Sequence, residues 1–151
     1  MQGFQLQTVL DYRETKESLA QQSLAEAKRT EHELLQELER VHSDLSRLEK
    51  EQEAKQAAGL ECRELLLYQN GKECRRLRMR ELEDSIASAR REVERKRQDL
   101  LRASREKKLL EKVKERQSER LSHHLRKQEQ ERLDEIATTS FFMQGRSYGG
   151  S

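Results

Sequence analysis

Apolar residues spaced alternately three and four apart run through the first third of the chain. They occupy Leu6, Leu10, Arg13, Glu17, Ala20, Leu24, Ala27, Glu31, Leu34, Leu38, Val41, Leu45 and Leu48, with ten of the thirteen positions apolar. A chain that is 32% hydrophobic would place about four there by chance. This spacing closes one narrow stripe on an α-helix, the geometry of a coiled-coil seam, weakened at Arg13, Glu17 and Glu31. A second ladder runs through Leu65, Tyr68, Lys72, Arg75, Met79, Leu82, Ile86, Ala89, Val93, Lys96, Leu100, Ala103, Lys107 and Leu110, where ten of fourteen positions are apolar. With 40% of its residues charged, the chain has too little apolar material to fill a compact core. Disorder and extended helices that bury only a seam both fit that composition. The absence of proline from all 151 residues favours helices, because a helix interior tolerates proline least.

Two ladders on one chain require a reversal between them. Gln56-Ala57-Ala58-Gly59 places a glycine just past the first ladder, where a helix C-terminus wants one. Asn70-Gly71 is the stronger turn dipeptide taken alone. Leu65 and Tyr68 keep phase with Met79 and Leu82, which puts the reversal near 57–60, with 70–71 as the later alternative. The expected fold is all-α: a two-helix antiparallel coiled-coil hairpin with an overhanging C-terminal helix. Residues 1–7 read as an N-terminal flank, with Thr8 and Asp11 as a capping-box variant, and 8–137 as a single hairpin. Beyond Leu110 the second ladder continues through Lys114, Gln117, Leu121, His124, Gln128, Glu131 and Glu135, of which one is apolar. Residues 111–137 therefore read as an overhang of roughly 40 Å at 1.5 Å per residue. Thr138–Ser151 reads as a disordered tail, in which Phe141 and Phe142 are candidate anchors on a partner.

Charge is near balance overall, at +2, but unevenly spread. Residues 1–60 carry 8 Lys/Arg against 12 Asp/Glu, a net −4; residues 90–132 carry 16 against 9, a net +7. Opposite ends of opposite charge suit antiparallel pairing. Ten basic residues between Arg105 and Arg132 raise the alternative of a basic nucleic-acid-binding helix. Six interleaved acids and the lack of stacking aromatics there argue against it. A generic coiled-coil scaffold that forms homo-oligomers is the other alternative, disfavoured by charged seam positions such as Arg13, Lys96 and Lys107.

Nothing in the sequence assembles a catalytic or cofactor site. The six glycines make no phosphate-binding loop, and the adjacent His123 and His124 point to different faces of a helix. Cys62 and Cys74 have no companions at metal-ligand spacing and read as reduced thiols in the cytosol. No cofactor, no metal and no enzymatic activity are expected. The first residues lack the pattern of a signal peptide, and no stretch approaches the ~20 apolar residues that span a bilayer. Direct membrane insertion is therefore not expected.

Two stretches carry a family resemblance. Phe4-Gln-Leu-Gln-Thr-Val-Leu-Asp-Tyr-Arg-Glu14 resembles the opening of the flagellar export protein family FliJ. Leu109-Leu-Glu-Lys-Val-Lys-Glu-Arg-Gln117 and Glu131-Arg-Leu-Asp-Glu-Ile-Ala137 are similar to its C-terminal block. The ladder phase brings Leu6–Arg13 beside Leu110, so both stretches fall at one end of the hairpin. The resemblance implies a fold like the central stalk of rotary ATPases. It also implies a non-enzymatic role in flagellar type III export, motility and chemotaxis, with no nucleic acid as partner. The implied partners are the export ATPase FliI, its regulator FliH, the export gate protein FlhA and export chaperones. The implied location is the cytoplasm, with peripheral recruitment to the membrane at the flagellar base. It makes Leu10, Tyr12, Arg13, Lys112, Lys114 and Arg116 candidates for the ATPase-facing end. Met79, Leu82, Ile86 and Ala89 are the candidates for the gate-facing surface, although Gly71 and the run Arg75, Arg76, Arg78 and Arg80 depart from the apolar character expected there.

Overall fold

A computed structural model describes residues 2–148. It contains two helices, α1 (Gln2–Ala58) and α2 (Cys62–Tyr148), and no strand among the described residues. The break between them is three residues long and its chemistry is local. Gly59 has φ of +102°, a conformation that side chains with a Cβ rarely adopt, and its N–H bonds the Gln56 carbonyl at 3.4 Å. The Leu65 N–H then bonds the Glu61 carbonyl at 3.0 Å, opening α2, and Glu64 places a negative charge in its first turn. Asn70-Gly71 lies inside α2. A Cβ at Gly71 would sit 3.5 Å from Cδ1 of Leu48, so packing against α1 covers this glycine and holds it helical.

Both helix ends extend beyond the boundaries read from sequence. α1 starts at Gln2, so residues 2–7 are helical and Thr8 sits within the helix rather than capping it. α2 runs on to Tyr148, through most of the stretch read as a tail, and residues 149–151 lie outside the described residues. The hydroxyls of Thr138 and Thr139 donate to the carbonyls of Asp134 and Glu135, each at 2.8 Å. Threonine thereby satisfies its polar group without leaving the helix.

The chain divides into two compact units, Glu14–Ser104 and Met1–Arg13 with Arg105–Ser151, where one hairpin over 8–137 was expected. Glu14–Ser104 is a helical hairpin in itself. Its core is Leu82, 1% exposed, with Ile86, Val93 and the polar Gln52 also buried. Arg90 meets Glu31 at 3.4 Å, Arg78 meets Glu37 at 2.7 Å and Arg76 meets Glu49 at 3.9 Å. As the residue number rises along α1, that of its partner falls along α2. Solvent screens these exposed pairs, so they set register more than they add stability. Glu37 holds the Arg78 guanidinium more firmly protonated than usual.

In the other unit Leu10 is buried, and Arg13 Nη1 meets Glu106 Oε2 at 2.6 Å in a half-buried ion pair. Lys114 donates to the Gln7 side chain. Every one of the twenty-seven ladder positions, over both units, is buried or half-buried. Residues 111–146 are exposed throughout.

Candidate docking surface

The unit of Met1–Arg13 and Arg105–Ser151 carries all six residues assigned to the ATPase-facing end, and the structure separates them into two groups. Leu10 is 5% exposed and belongs to the seam, so its contribution is to packing. Arg13 is held by Glu106, and its guanidinium lies 5.9 Å from the ring centroid of its neighbour Tyr12. Lys114 is on the side of α2 that reaches α1, through Gln7. Tyr12, at 55% exposure, and the exposed Lys112 and Arg116 are the surface groups.

Helical spacing explains the division. Leu109, Lys112, Val113 and Arg116 follow one another at i, i+3, i+4 and i+7, which places them on one face of α2. All four are exposed, Leu109 at 64% and Val113 at 43%. Among the described residues, neither Lys112 nor Arg116 makes an ion pair or side-chain hydrogen bond. A face that interleaves two aliphatic side chains with two unpaired cations suits a protein surface bearing apolar pockets and carboxylates. Val9 and Tyr12 make a smaller exposed apolar pair on α1. Reading along the seam overlooked Leu109, Val113 and Val9, because they fall out of its phase. Their own i, i+3 and i+4 spacing to cations and aromatics was the available signal.

The residues assigned to the gate-facing surface are placed differently. Leu82 and Ile86 are buried core residues of the Glu14–Ser104 hairpin, while Met79 and Ala89 are half-buried beside them. All four are ladder positions, so the apolar character that marked them as contacts is used within the chain. Leu82 and Ile86 therefore pack within the chain rather than presenting a surface. Leu77, set among the arginines of this stretch, is a large apolar side chain at 53% exposure.

Near the helix break, Leu48, Lys55, Glu64, Leu67 and Tyr68 line an open groove. Lys55 Nζ lies 5.4 Å from the Tyr68 ring centroid, and hydrogen bonding to Tyr68 raises its pKa. Cys62 and Cys74 are free and exposed. No group of three or more His, Cys, Asp or Glu among the described residues is placed to hold a metal ion. No helix among them is long and apolar enough to cross a membrane.

Two helices that place their apolar residues on a seam and turn mixed cationic and aliphatic faces outward define a two-helix, all-α protein. The chain belongs to the flagellar FliJ protein family, whose pattern it matches over residues 1–146. That family is a non-enzymatic component of flagellar export. No curated protein and no solved structure matches the chain.

Proposed function

We propose that this chain is a non-enzymatic component of flagellar type III protein export. It docks on the export ATPase FliI and its regulator FliH, contacts the gate protein FlhA, and assists delivery by export chaperones. In this reading it is an antiparallel coiled coil acting like the central stalk of a rotary ATPase, recruited peripherally to the cytoplasmic face of the membrane. The observation that carries the reading is family membership over residues 1–146. The exposed face of Leu109, Lys112, Val113 and Arg116, with Tyr12, supports a docking role for that end. Such a surface works by contact: aliphatic groups fill shallow pockets, and cations meet carboxylates that set orientation and on-rate.

The test is binding of the purified full chain to the export ATPase, with and without nucleotide, using Lys112→Glu/Arg116→Glu beside the wild type. Two reversed charges at a rim are expected to weaken binding about tenfold or more and to reduce its salt dependence. Lys114→Glu, which loses a contact inside the chain, should weaken it less. Binding that the double reversal leaves unchanged would remove this face from the interface. Absence of binding at every salt concentration, with the chain helical by circular dichroism, would overturn ATPase docking.

A further inference from the structure

We infer that residues 120–136 of α2 form a self-complementary surface that pairs antiparallel with the same segment of a second copy of this chain. The segment is exposed throughout and has no cover from α1. Leu121, Leu125, Leu133 and Ile136 are each more than half exposed. At about 100° per residue they fall within a sector of roughly 120° on the helix. One face of this helical segment thus carries four large apolar side chains with nothing among the described residues to pack on.

The charges indicate what covers them. Residues 120–127 hold Arg120, Arg126 and Lys127 and no acid, a net +3; residues 129–135 hold Glu129, Glu131, Asp134 and Glu135 against Arg132, a net −3. In the Glu14–Ser104 hairpin, arginines of α2 are matched by glutamates of α1. Along 120–136, none of the charged side chains is in an ion pair among the described residues. Arg126 donates to Ser122 and Asp134 accepts from Gln130, both polar groups of the same helix. Charge inverts at Gln128, and the apolar residues are arranged about the same point. A two-fold axis just past it, between Gln128 and Glu129, sets Leu121 opposite Ile136 of the second copy and Leu125 opposite its Arg132 and beside its Leu133. The same operation sets each basic half against an acidic half. A parallel pairing would face like charges along the whole length. Arg132 at the centre lays its aliphatic stem along Leu125 and sends its guanidinium outward, which keeps the pairing reversible. The pairing uses residues outside the docking face and does not rest on the ATPase reading.

Sedimentation of the full chain over a wide concentration range tests this. At low ionic strength the average mass is expected to rise from 17.9 kDa towards twice that value, and salt should reverse the rise. Glu131→Lys/Glu135→Lys and Arg120→Glu/Arg126→Glu each turn attraction into repulsion at four sites of the pair. Each should raise the dissociation constant about tenfold or more. An equimolar mixture of the two variants should associate again. All four positions are exposed, so helicity should be unchanged by circular dichroism. In a chain whose Cys62 and Cys74 are replaced by serine, S118C protein should form a disulfide with T139C protein and not with itself. A mass of 17.9 kDa under all conditions, association indifferent to the reversals, or S118C cross-linking to itself would each overturn the proposal.

Discussion

Gly59 and Gly71 occupy opposite situations, and replacing each with alanine gives effects of opposite sign. At Gly59 nothing lies within 4 Å of an added Cβ, so space is not the obstacle. The obstacle is φ of +102°, where an L-residue pays about 1–2 kcal/mol of backbone strain. At Gly71 the helix is regular, and an added Cβ would lie 3.5 Å from Leu48 Cδ1 and 3.5 Å from a terminal nitrogen of Arg75, both ordinary contacts. Alanine there gains about 0.8–1 kcal/mol of helix propensity and restricts the unfolded chain. Arg75 donates to the Gly71 carbonyl at 3.1 Å, a bond that the substitution leaves in place. For a chain of this size 1 kcal/mol moves the melting temperature by about 2–4 °C. Gly71→Ala should therefore melt about 2–4 °C higher, and Gly59→Ala about 2–8 °C lower, by far-ultraviolet circular dichroism. Urea midpoints should move in the same directions with unchanged slopes. If Gly71→Ala destabilises while Gly59→Ala is neutral, the reversal lies at Asn70-Gly71, and the pairing of Arg78 with Glu37 and Arg90 with Glu31 is wrong with it.

Leu82→Ala should cost about 2–5 kcal/mol, because the side chain is 1% exposed and its removal leaves a cavity. Leu77→Ala, at 53% exposure, should stay within about 0.5 kcal/mol, and equal losses for the two in urea melts would contradict the assignment of the seam. A double-mutant cycle on Arg13→Ala and Glu106→Ala should return a coupling of about 1 kcal/mol or less, shrinking with salt, since both side chains keep solvent contact. A coupling above about 2 kcal/mol would mean that the pair is more enclosed than it is here.

Both ladders were legible in the sequence because a stripe on a helix depends only on 3.6-residue geometry and on where apolar side chains recur. All thirteen positions from Leu6 to Leu48 and all fourteen from Leu65 to Leu110 are shielded from solvent to some degree. The two helices themselves follow from the missing proline and the charged composition, and the end motifs carried the family. The exposed face proposed for docking was legible only in part. Lys112 and Arg116 stood out as cations, but Leu109 and Val113 were hidden by attention to the seam.

Tertiary packing decided what local chemistry left open. Two glycines were each able to break the helix, and Leu48 lying against Gly71 left Gly59 to do so. An apolar residue at ladder spacing serves equally as core or as contact, and burial assigned Leu10, Leu82 and Ile86 to the core while leaving Tyr12 outside. A chain this rich in charge offers every arginine several carboxylates. Only the pairing of the helices within each unit selected Glu37 for Arg78 and Glu106 for Arg13, because sequence specifies which groups attract and three-dimensional register specifies which of them meet.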